Sequence, residues 1–174
     1  MSELRIETPR LLIRPFTLDD AEAIHRVFGD PIAMQYVGGG VIESIERTRK
    51  RLEKLIAFQR DYGYSYWAVV EKSLCEVIGD CGLVPFEEKG PGVELGYDIR
   101  RDLWNRGYAT EAAQACLDYG FNVLQLPDIA ALFFPDNIAS RRVLEKIGMT
   151  ERGLGCYYNH DLVLFAIENP RGSA

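Results

Sequence analysis

The 174-residue sequence lacks the features of several large protein classes. No apolar run approaches the roughly 20 residues needed to span a bilayer, and the first residues contain no apolar core of the signal-peptide type. Basic residues are not in excess, because the formal net charge at pH 7 is −6. Nucleic-acid binding needs basic surface that neutralises phosphates. We therefore expect a cytoplasmic protein with no membrane partner and no direct nucleic-acid partner.

Cysteine and histidine are also scarce. The four cysteines have no paired short spacing, and no Cys/His cluster resembles a zinc site, so we expect no metal and reduced, mostly buried thiols. The Walker A lysine motif and the Gly-x-Gly-x-x-Gly fingerprint are both missing. The predicted elements do not alternate regularly between strand and helix, which argues against a doubly wound nucleotide-binding fold.

The most informative segment that is present is Trp-Asn-Arg-Gly-Tyr-Ala-Thr-Glu-Ala, residues 104–112. It follows a predicted strand at residues 93–99 and opens a predicted helix that continues to about residue 121. We expect a tight loop over residues 106–109, with Thr110 providing a capping hydroxyl. Free backbone N–H groups and the positive end of the helix dipole converge at such a helix start. The segment therefore predicts a site for phosphate or pyrophosphate.

Two groups of arginines stand out against the acidic background. Arg100, Arg101 and Arg106 flank the loop, and Arg141 and Arg142 lie together on a later predicted helix. If the two groups meet in space, they form a positive pocket. Such a pocket suits a small polyanionic ligand.

The remaining pattern predicts a single mixed α/β domain over residues 1–168, with a frayed tail at 169–174. Strands are predicted at residues 4–16 (broken near Pro9), 64–70, 75–86, 93–99, 129–134, 150–157 and 161–167. Helices are predicted at residues 17–28 and 42–62, after the loop, and at 138–147.

With these elements in place, the sequence resembles the GNAT acetyltransferases, and among them the RimJ/RimL-like branch that acetylates ribosomal-protein N-termini. The resemblance rests on residues 7–16, 93–97, 105–112 and 137–149. The last segment, Asn-Ile-Ala-Ser-Arg-Arg-Val-Leu-Glu-Lys-Ile-Gly-Met, begins 30 residues after Gly107. The glycine loop alone is a weak signal, whereas the two segments at this spacing are a strong one.

The resemblance implies a fold, a cofactor and a set of ligands. The GNAT fold is a mostly antiparallel, twisted sheet of about seven strands, flanked by four helices and splayed between strands four and five. The implied acetyl donor is acetyl-CoA, whose pyrophosphate would bind the loop and whose pantetheine arm would pair with the edge of the 93–99 strand. The residues implied in cofactor binding are Gly96, Tyr97, Ile99, Arg101, Arg106, Gly107, Tyr108, Ala109, Thr110, Asn137 and Arg142.

Two residues are candidates for catalysis. Glu94 is the candidate general base, because it lies in an otherwise apolar strand; a solvated edge glutamate is the alternative. Strand alternation places Glu94 and Gly96 on one face and Tyr97 on the other. The resemblance implies Ser140 as the acid that assists the leaving thiolate, with an ordinary helix residue as the alternative. Asn137 is an N-cap, a cofactor ligand or both.

The sequence departs from the general family pattern at two positions. Trp104 stands where the loop usually begins with Gln or Arg, and Leu144 stands where many members carry a tyrosine that protonates the thiolate. The second departure is shared with the narrower branch, and it leaves the general acid open.

The predicted acceptor is a protein N-terminal α-amine, acetylated by direct transfer. Its pKa of about 7.7–8.0 demands less of a base than that of a lysine, about 10.4. The alternatives are a small-molecule amine and, from a different class, a non-catalytic CoA-binding or sensing module. Candidates for lining the acceptor site are Tyr36, Tyr64, Tyr66, Trp67 and His160, with core packing or a turn position as the alternative. A monomer and a homodimer are both compatible with the sequence.

Overall fold

The fold was analysed in a computed structural model that describes residues 4–37 and 40–172. Eight strands and four α-helices follow one another along the chain. They are β1 (Ile6–Glu7), β2 (Leu11–Arg14), α1 (Ala21–Phe28), α2 (Ile45–Tyr62), β3 (Tyr66–Glu71), β4 (Glu76–Pro85), β5 (Val93–Ile99), α3 (Tyr108–Asn122), β6 (Asp128–Phe133), α4 (Ile138–Lys146), β7 (Thr150–Tyr157) and β8 (His160–Glu168). The order matches the mixed α/β pattern predicted from the sequence.

All strands form one sheet in the order β1-β2-β3-β4-β5-β6-β8-β7. The sheet has eight strands rather than about seven, because the segment predicted as one broken strand folds back on itself at Pro9. Ile6 then pairs with Ile13 across an antiparallel hairpin. Every neighbouring pair is antiparallel except β5 and β6. The predicted GNAT fold, with a mostly antiparallel sheet and four helices, is confirmed.

The parallel strands β5 and β6 share fewer paired residues than any other neighbouring strands in the described sheet. A single residue pair, Glu94 with Ala130, joins the two strands. Beyond Glu94 the strands diverge, so β5 has an unpaired edge on the β6 side over its last residues. The predicted splay between the fourth and fifth strands is therefore confirmed and lies here, since β5 and β6 are the strands at residues 93–99 and 128–133.

Helices cover both faces of the sheet. The main core joins strand residues such as Trp67, Leu83 and Leu95 to the apolar side of α3, including Cys116 and Leu117. A second core, on the opposite face, joins α1 and α2 through residues such as Ile24, Phe28, Leu52 and Ala68. We call these the α3 face and the α1/α2 face of the sheet.

The cysteines and the chain end differ in part from expectation. Cys81 and Cys116 are buried, but Cys75 and Cys156 are exposed, because one lies in the β3–β4 turn and the other on the edge strand β7. Asn169, at the start of the predicted tail, donates from its side chain to the Leu126 carbonyl over 2.9 Å. The predicted tail residues 173 and 174 lie outside the described residues.

The described residues contain no candidate membrane span and no candidate metal cluster. No helix in them has the length and apolar character needed to cross a membrane. In the same ranges, 4–37 and 40–172, no group of three or more His, Cys, Asp or Glu side chains could hold a metal ion.

Candidate active site

The candidate site is centred on the splay between β5 and β6. The loop before α3 lies at the end of β5, and the start of α4 follows β6. Strand β5 therefore presents one face to α3 and α4 and its other face to α1 and α2. This arrangement brings three of the predicted segments, at residues 93–97, 105–112 and 137–149, to one cleft.

The loop has the backbone conformation of an anion-binding helix start. Gly107 is the N-cap of α3 and has a φ of +81°, a left-handed conformation that favours glycine. The predicted capping role of Thr110 is wrong, because α3 begins at Tyr108 and the Thr110 hydroxyl makes no cap hydrogen bond. The first backbone N–H that bonds back to the loop is that of Glu111, which donates to the Gly107 carbonyl. In the described chain, the N–H groups of residues 106–110 have no partner, which fits the predicted pyrophosphate site.

A contact with the N-terminal hairpin fixes this loop. Arg10 donates from Nε to Glu111 Oε2 over 2.6 Å and from Nη1 to the Arg106 carbonyl over 2.8 Å. Thr8 donates from its hydroxyl to the other oxygen, Glu111 Oε1, over 2.6 Å. The Arg10 guanidinium also stacks 4.4 Å from the centre of the Tyr108 ring. The Glu111 carboxylate at the helix start is thus neutralised and does not repel a phosphate.

Trp104, the unusual residue of the loop, has a defined partner. Its indole N–H donates to the Ile99 carbonyl over 2.6 Å. Ile99 is the last residue of β5 and one of the predicted cofactor contacts. The indole therefore ties the end of the strand to the start of the loop, a link that needs only an N–H donor at this position.

The arginines are less free than their number suggests. Ion pairs join Arg100 to Glu76 and Asp102, Arg101 to Asp30, and Arg141 to Glu151. Within the described residues, neither Arg106 nor Arg142 forms an ion pair. The roles of Arg101, Arg106 and Arg142 in cofactor binding stay predictions, and of the three only Arg101 already has an acidic partner.

The start of α4 holds Ser140 in place. Asn137 is the N-cap and accepts a hydrogen bond from the Ser140 N–H over 3.0 Å, so the predicted capping role is confirmed and its role as a ligand stays a prediction. The Tyr97 hydroxyl, which reaches across from β5, lies 2.9 Å from Ser140 Oγ and 3.1 Å from the Ser140 carbonyl. Leu144 is only 1% exposed and packs in the main core. Tyr97 and Ser140 thus meet on the α3 face.

Glu94 lies on the opposite face of the same strand. It is 7% exposed, and both of its oxygens have donors: the Tyr158 hydroxyl at 2.7 Å and the Glu87 N–H at 3.4 Å. Burial raises the pKa of Glu94 to about 7, although these two hydrogen bonds act in the other direction. The nearby carboxylates of Glu88 and Glu87 contribute to this raised value. Glu94 is therefore not a solvated edge residue. Tyr97 lies on the opposite face of β5, so the predicted alternation is confirmed.

Two more carboxylates share this face with Glu94. Asp98 lies four residues beyond Glu94 on β5 and pairs in register with Asp80 of β4. Burial raises the pKa of Asp98 to about 6 and that of Asp80 well above its ordinary value, and the Asp98 charge adds to the second effect. Arg51 of α2 lowers the pKa of both. The α1/α2 face of β5 is therefore rich in buried acid groups.

The aromatic residues predicted to line the acceptor site lie in different surroundings. The Phe134 ring lies 6.2 Å from that of Tyr36 and 5.3 Å from that of His160. Tyr66 lies over Gly96, where a Cβ would overlap its ring, so glycine is required at that position. Trp67 is fully buried and packs edge-on against Tyr119 of α3, so it does not line an acceptor site and its core alternative is confirmed. Tyr64 is partly buried and packs beside Tyr62.

Several residues of this site were not found by sequence reasoning. Tyr158 and Arg10 bond to the predicted site residues Glu94 and Arg106 from distant parts of the chain, and Glu87 bonds to Glu94 from seven residues away. Arg10 lies within residues 7–16, one of the segments that carry the family resemblance, so the sequence did contain a signal for it. Tyr158 and Glu87 lie in turns with positive φ and have no sequence motif of their own.

Comparison with known proteins agrees with this geometry. The sequence profile of the family described as "Acetyltransferase (GNAT) domain" matches residues 10–150. The chain is 39% identical over 150 residues to the uncharacterised protein YkkB of Bacillus subtilis, covering 85% of this chain and 86% of the relative.

Solved structures give the same result. The structure is similar to a GNAT-family acetyltransferase from Bacillus anthracis, with a TM-score of 0.82, 32% identity and coverage of 95% and 99% of the two chains. It also shares its fold with the ribosomal-protein-S5-alanine acetyltransferase of Vibrio fischeri, with a TM-score of 0.78, 21% identity and coverage of 99% and 100%.

Proposed function

The chain belongs to the GNAT acetyltransferases, which use acetyl-CoA, and we propose that its acceptor is the α-amine of a peptide or protein N-terminus. The observation that carries this proposal is the Glu94 carboxylate, buried at the splay with a pKa of about 7. A carboxylate raised to this range is closer in strength to an α-amine, whose pKa is about 7.7–8.0, than to a lysine, whose pKa is about 10.4.

The residues present fit acetyl-CoA as the donor. The N–H groups of residues 106–110 are free to hold a pyrophosphate, and the unpaired edge of β5 from Gly96 to Ile99 is free to pair with the amides of pantetheine. Acetyl-CoA brings an activated thioester to the end of this edge. A backbone N–H of β5 then stabilises the negative charge that develops on the thioester oxygen.

Glu94 performs the proton transfer on the acceptor side. It accepts the proton that the amine loses as the new carbon–nitrogen bond forms. Tyr158 and Glu87 hold its two oxygens, so the carboxylate has one orientation before the acceptor arrives. The acidic residues Glu87 and Glu88 beside it favour the approach of an ammonium group.

A cluster of aromatic rings supports a peptide acceptor. The rings of Tyr36, Phe134 and His160 are in contact, and two of these residues are predicted to line the acceptor site. Such a cluster provides contact area for the first side chains of a peptide. The structural neighbour from Vibrio fischeri is named for the acetylation of a ribosomal-protein alanine, which agrees with this acceptor class.

The test compares amines in one assay that measures free thiol released from acetyl-CoA. One peptide has a free N-terminus and no lysine, and its matched partner has a blocked N-terminus and one lysine; a polyamine and an aminoglycoside complete the set. We expect kcat/KM for the free N-terminus to exceed that for the lysine peptide by about tenfold or more, given the difference in amine pKa.

Other outcomes would replace this acceptor. Faster turnover of the polyamine or the aminoglycoside would indicate a small-molecule acetyltransferase. Binding of CoA without turnover of any amine would indicate a CoA-binding or sensing module.

A further inference from the structure

The contact between Tyr97 and Ser140 bridges the two sides of the splay. Tyr97 comes from β5, and Ser140 lies in the first turn of α4. Helix α4 offers no phenol of its own toward the cleft, because the side chain at position 144 is a leucine buried in the core. A tyrosine hydroxyl is nevertheless present beside Ser140, supplied by the neighbouring strand over 2.9 Å.

The family resemblance implies Ser140 as the hydrogen-bond donor to the sulfur of coenzyme A, and we propose that Tyr97 is the positioning residue that orients the Ser140 hydroxyl for this role. The proposal rests on the proposed function in one respect, the use of acetyl-CoA as the donor. It does not depend on which amine accepts the acetyl group.

The geometry restricts Ser140 at two points. Its backbone N–H is bound by Asn137, and its hydroxyl and carbonyl are both within hydrogen-bond distance of Tyr97 Oη. The single hydrogen of the phenol can point to the Ser140 carbonyl or to Ser140 Oγ; when it points to Oγ, the hydrogen of the serine is left for another acceptor in the cleft. Burial raises the pKa of Tyr97, so the phenol stays protonated and remains a donor over the working pH range.

This arrangement completes the balance of the transfer. Glu94 takes the amine proton as the carbon–nitrogen bond forms. Ser140 donates a hydrogen bond to the sulfur as the carbon–sulfur bond breaks and the sulfur keeps the electron pair. Ser140 and Tyr97 both retain their protons, and the released thiolate takes a proton from water. A hydrogen bond to the sulfur anion favours its departure, since thiols of lower pKa are better leaving groups.

The decisive measurement is the pKa of the CoA thiol while it is bound. The ultraviolet absorbance of the thiolate is titrated against pH in protein saturated with CoA, with protein saturated with desulfo-CoA as the blank. That blank removes the absorbance of the tyrosines and the four cysteines of the chain. We expect Ser140→Ala to raise the pKa of the bound thiol by about one pH unit, and Tyr97→Phe to raise it by a part of that.

Steady-state kinetics provide the second readout. Tyr97→Phe removes one oxygen and keeps the ring, so we expect kcat to fall about tenfold while KM for acetyl-CoA is unchanged. The matched control is Tyr119→Phe, a partly buried tyrosine of α3 that packs against Trp67. We expect wild-type kinetics and a wild-type thiol pKa from it.

Each result decides one part of the proposal. A bound-thiol pKa that is equal in wild type and Ser140→Ala overturns the serine donor. A pKa that rises in Ser140→Ala but not in Tyr97→Phe overturns the role of Tyr97, and the reverse pattern makes Tyr97 the direct donor instead. If no amine is acetylated, the acceptor assignment fails, but the thiol titration still tests this inference on the protein bound to CoA.

Discussion

The two faces of strand β5 differ in their chemistry. On the α1/α2 face, Glu94 and Asp98 present carboxylates, which accept protons. On the α3 face, Tyr97 meets the Ser140 hydroxyl, and the loop adds free backbone N–H groups, all of which are donors. Alternation along one strand therefore separates a proton-accepting side from a proton-donating side.

This separation matches the needs of acetyl transfer. The amine must lose a proton, whereas the pyrophosphate and the departing sulfur carry negative charge that needs donors. Carboxylates on the donor side would repel that charge, and the carboxylate at the start of α3, Glu111, is neutralised by Arg10 and Thr8. The comparison predicts that substitutions on the two faces affect different kinetic constants.

The largest effect is expected from removing the proposed base, Glu94. Glu94→Gln keeps the shape of the side chain but cannot accept a proton, so kcat should fall about 100- to 10,000-fold. The affinity for CoA, measured by calorimetry, should not change, because Glu94 lies on the acceptor side. The matched control is Glu168→Gln, at the end of β8, with a side chain 83% exposed, which should keep kcat close to wild type. Wild-type kcat in Glu94→Gln would break the comparison.

The converse effect is expected at the loop. Gly107→Val places a β-branched residue at a φ of +81°, which costs about 1–3 kcal/mol, so the loop should change shape and the Kd for CoA should rise about 10- to 100-fold. Gly63→Val is the matched control. Gly63 has a φ of +79° at the C-cap of α2, and nothing lies within 4 Å of a Cβ added there. It should lower the melting temperature without changing the Kd. Equal CoA affinity in Gly107→Val and wild type would remove the pyrophosphate assignment.

The smallest effect sharpens the role of Glu94 through pH. The base must be ionised, so the rate should rise with pH through a pKa of about 7. The Tyr158 hydrogen bond lowers the pKa of Glu94, and Tyr158→Phe should therefore move the acid limb of the kcat/KM profile upward by up to about one pH unit. Tyr157→Phe, at the adjacent residue, should leave the profile in place. If the acid limb of the profile has the same apparent pKa in Tyr158→Phe as in wild type, or a lower one, a group other than Glu94 titrates.

The sequence predicted those parts of the site that depend on local pattern. The turn at Gly107 before α3 and the N-cap at Asn137 are set by a few adjacent residues, and the opposite faces of Glu94 and Tyr97 follow from alternation alone. These features appear in the structure as expected. The splay between β5 and β6 was anticipated from the family resemblance, because no local pattern encodes it.

Contacts between distant segments were not predictable in the same way. Arg10 and Glu111 are 101 positions apart, and Tyr158 and Glu94 are 64 apart. Such pairs depend on how the hairpins at both ends of the chain fold over the central strand. The cap at Thr110 failed for a related reason: the fold lets Gly107 take a left-handed conformation, and this starts the helix three residues earlier.

The Trp104 indole, which bonds to the end of β5, also gives the protein an internal optical probe. The chain has two tryptophans, and they sit in opposite surroundings: Trp67 is 0% exposed, whereas Trp104 is 42% exposed beside the loop. The buried core keeps the surroundings of Trp67 constant, so a change in fluorescence emission on addition of CoA reports on Trp104. Occupancy of the loop can therefore be followed in the unlabelled wild-type protein.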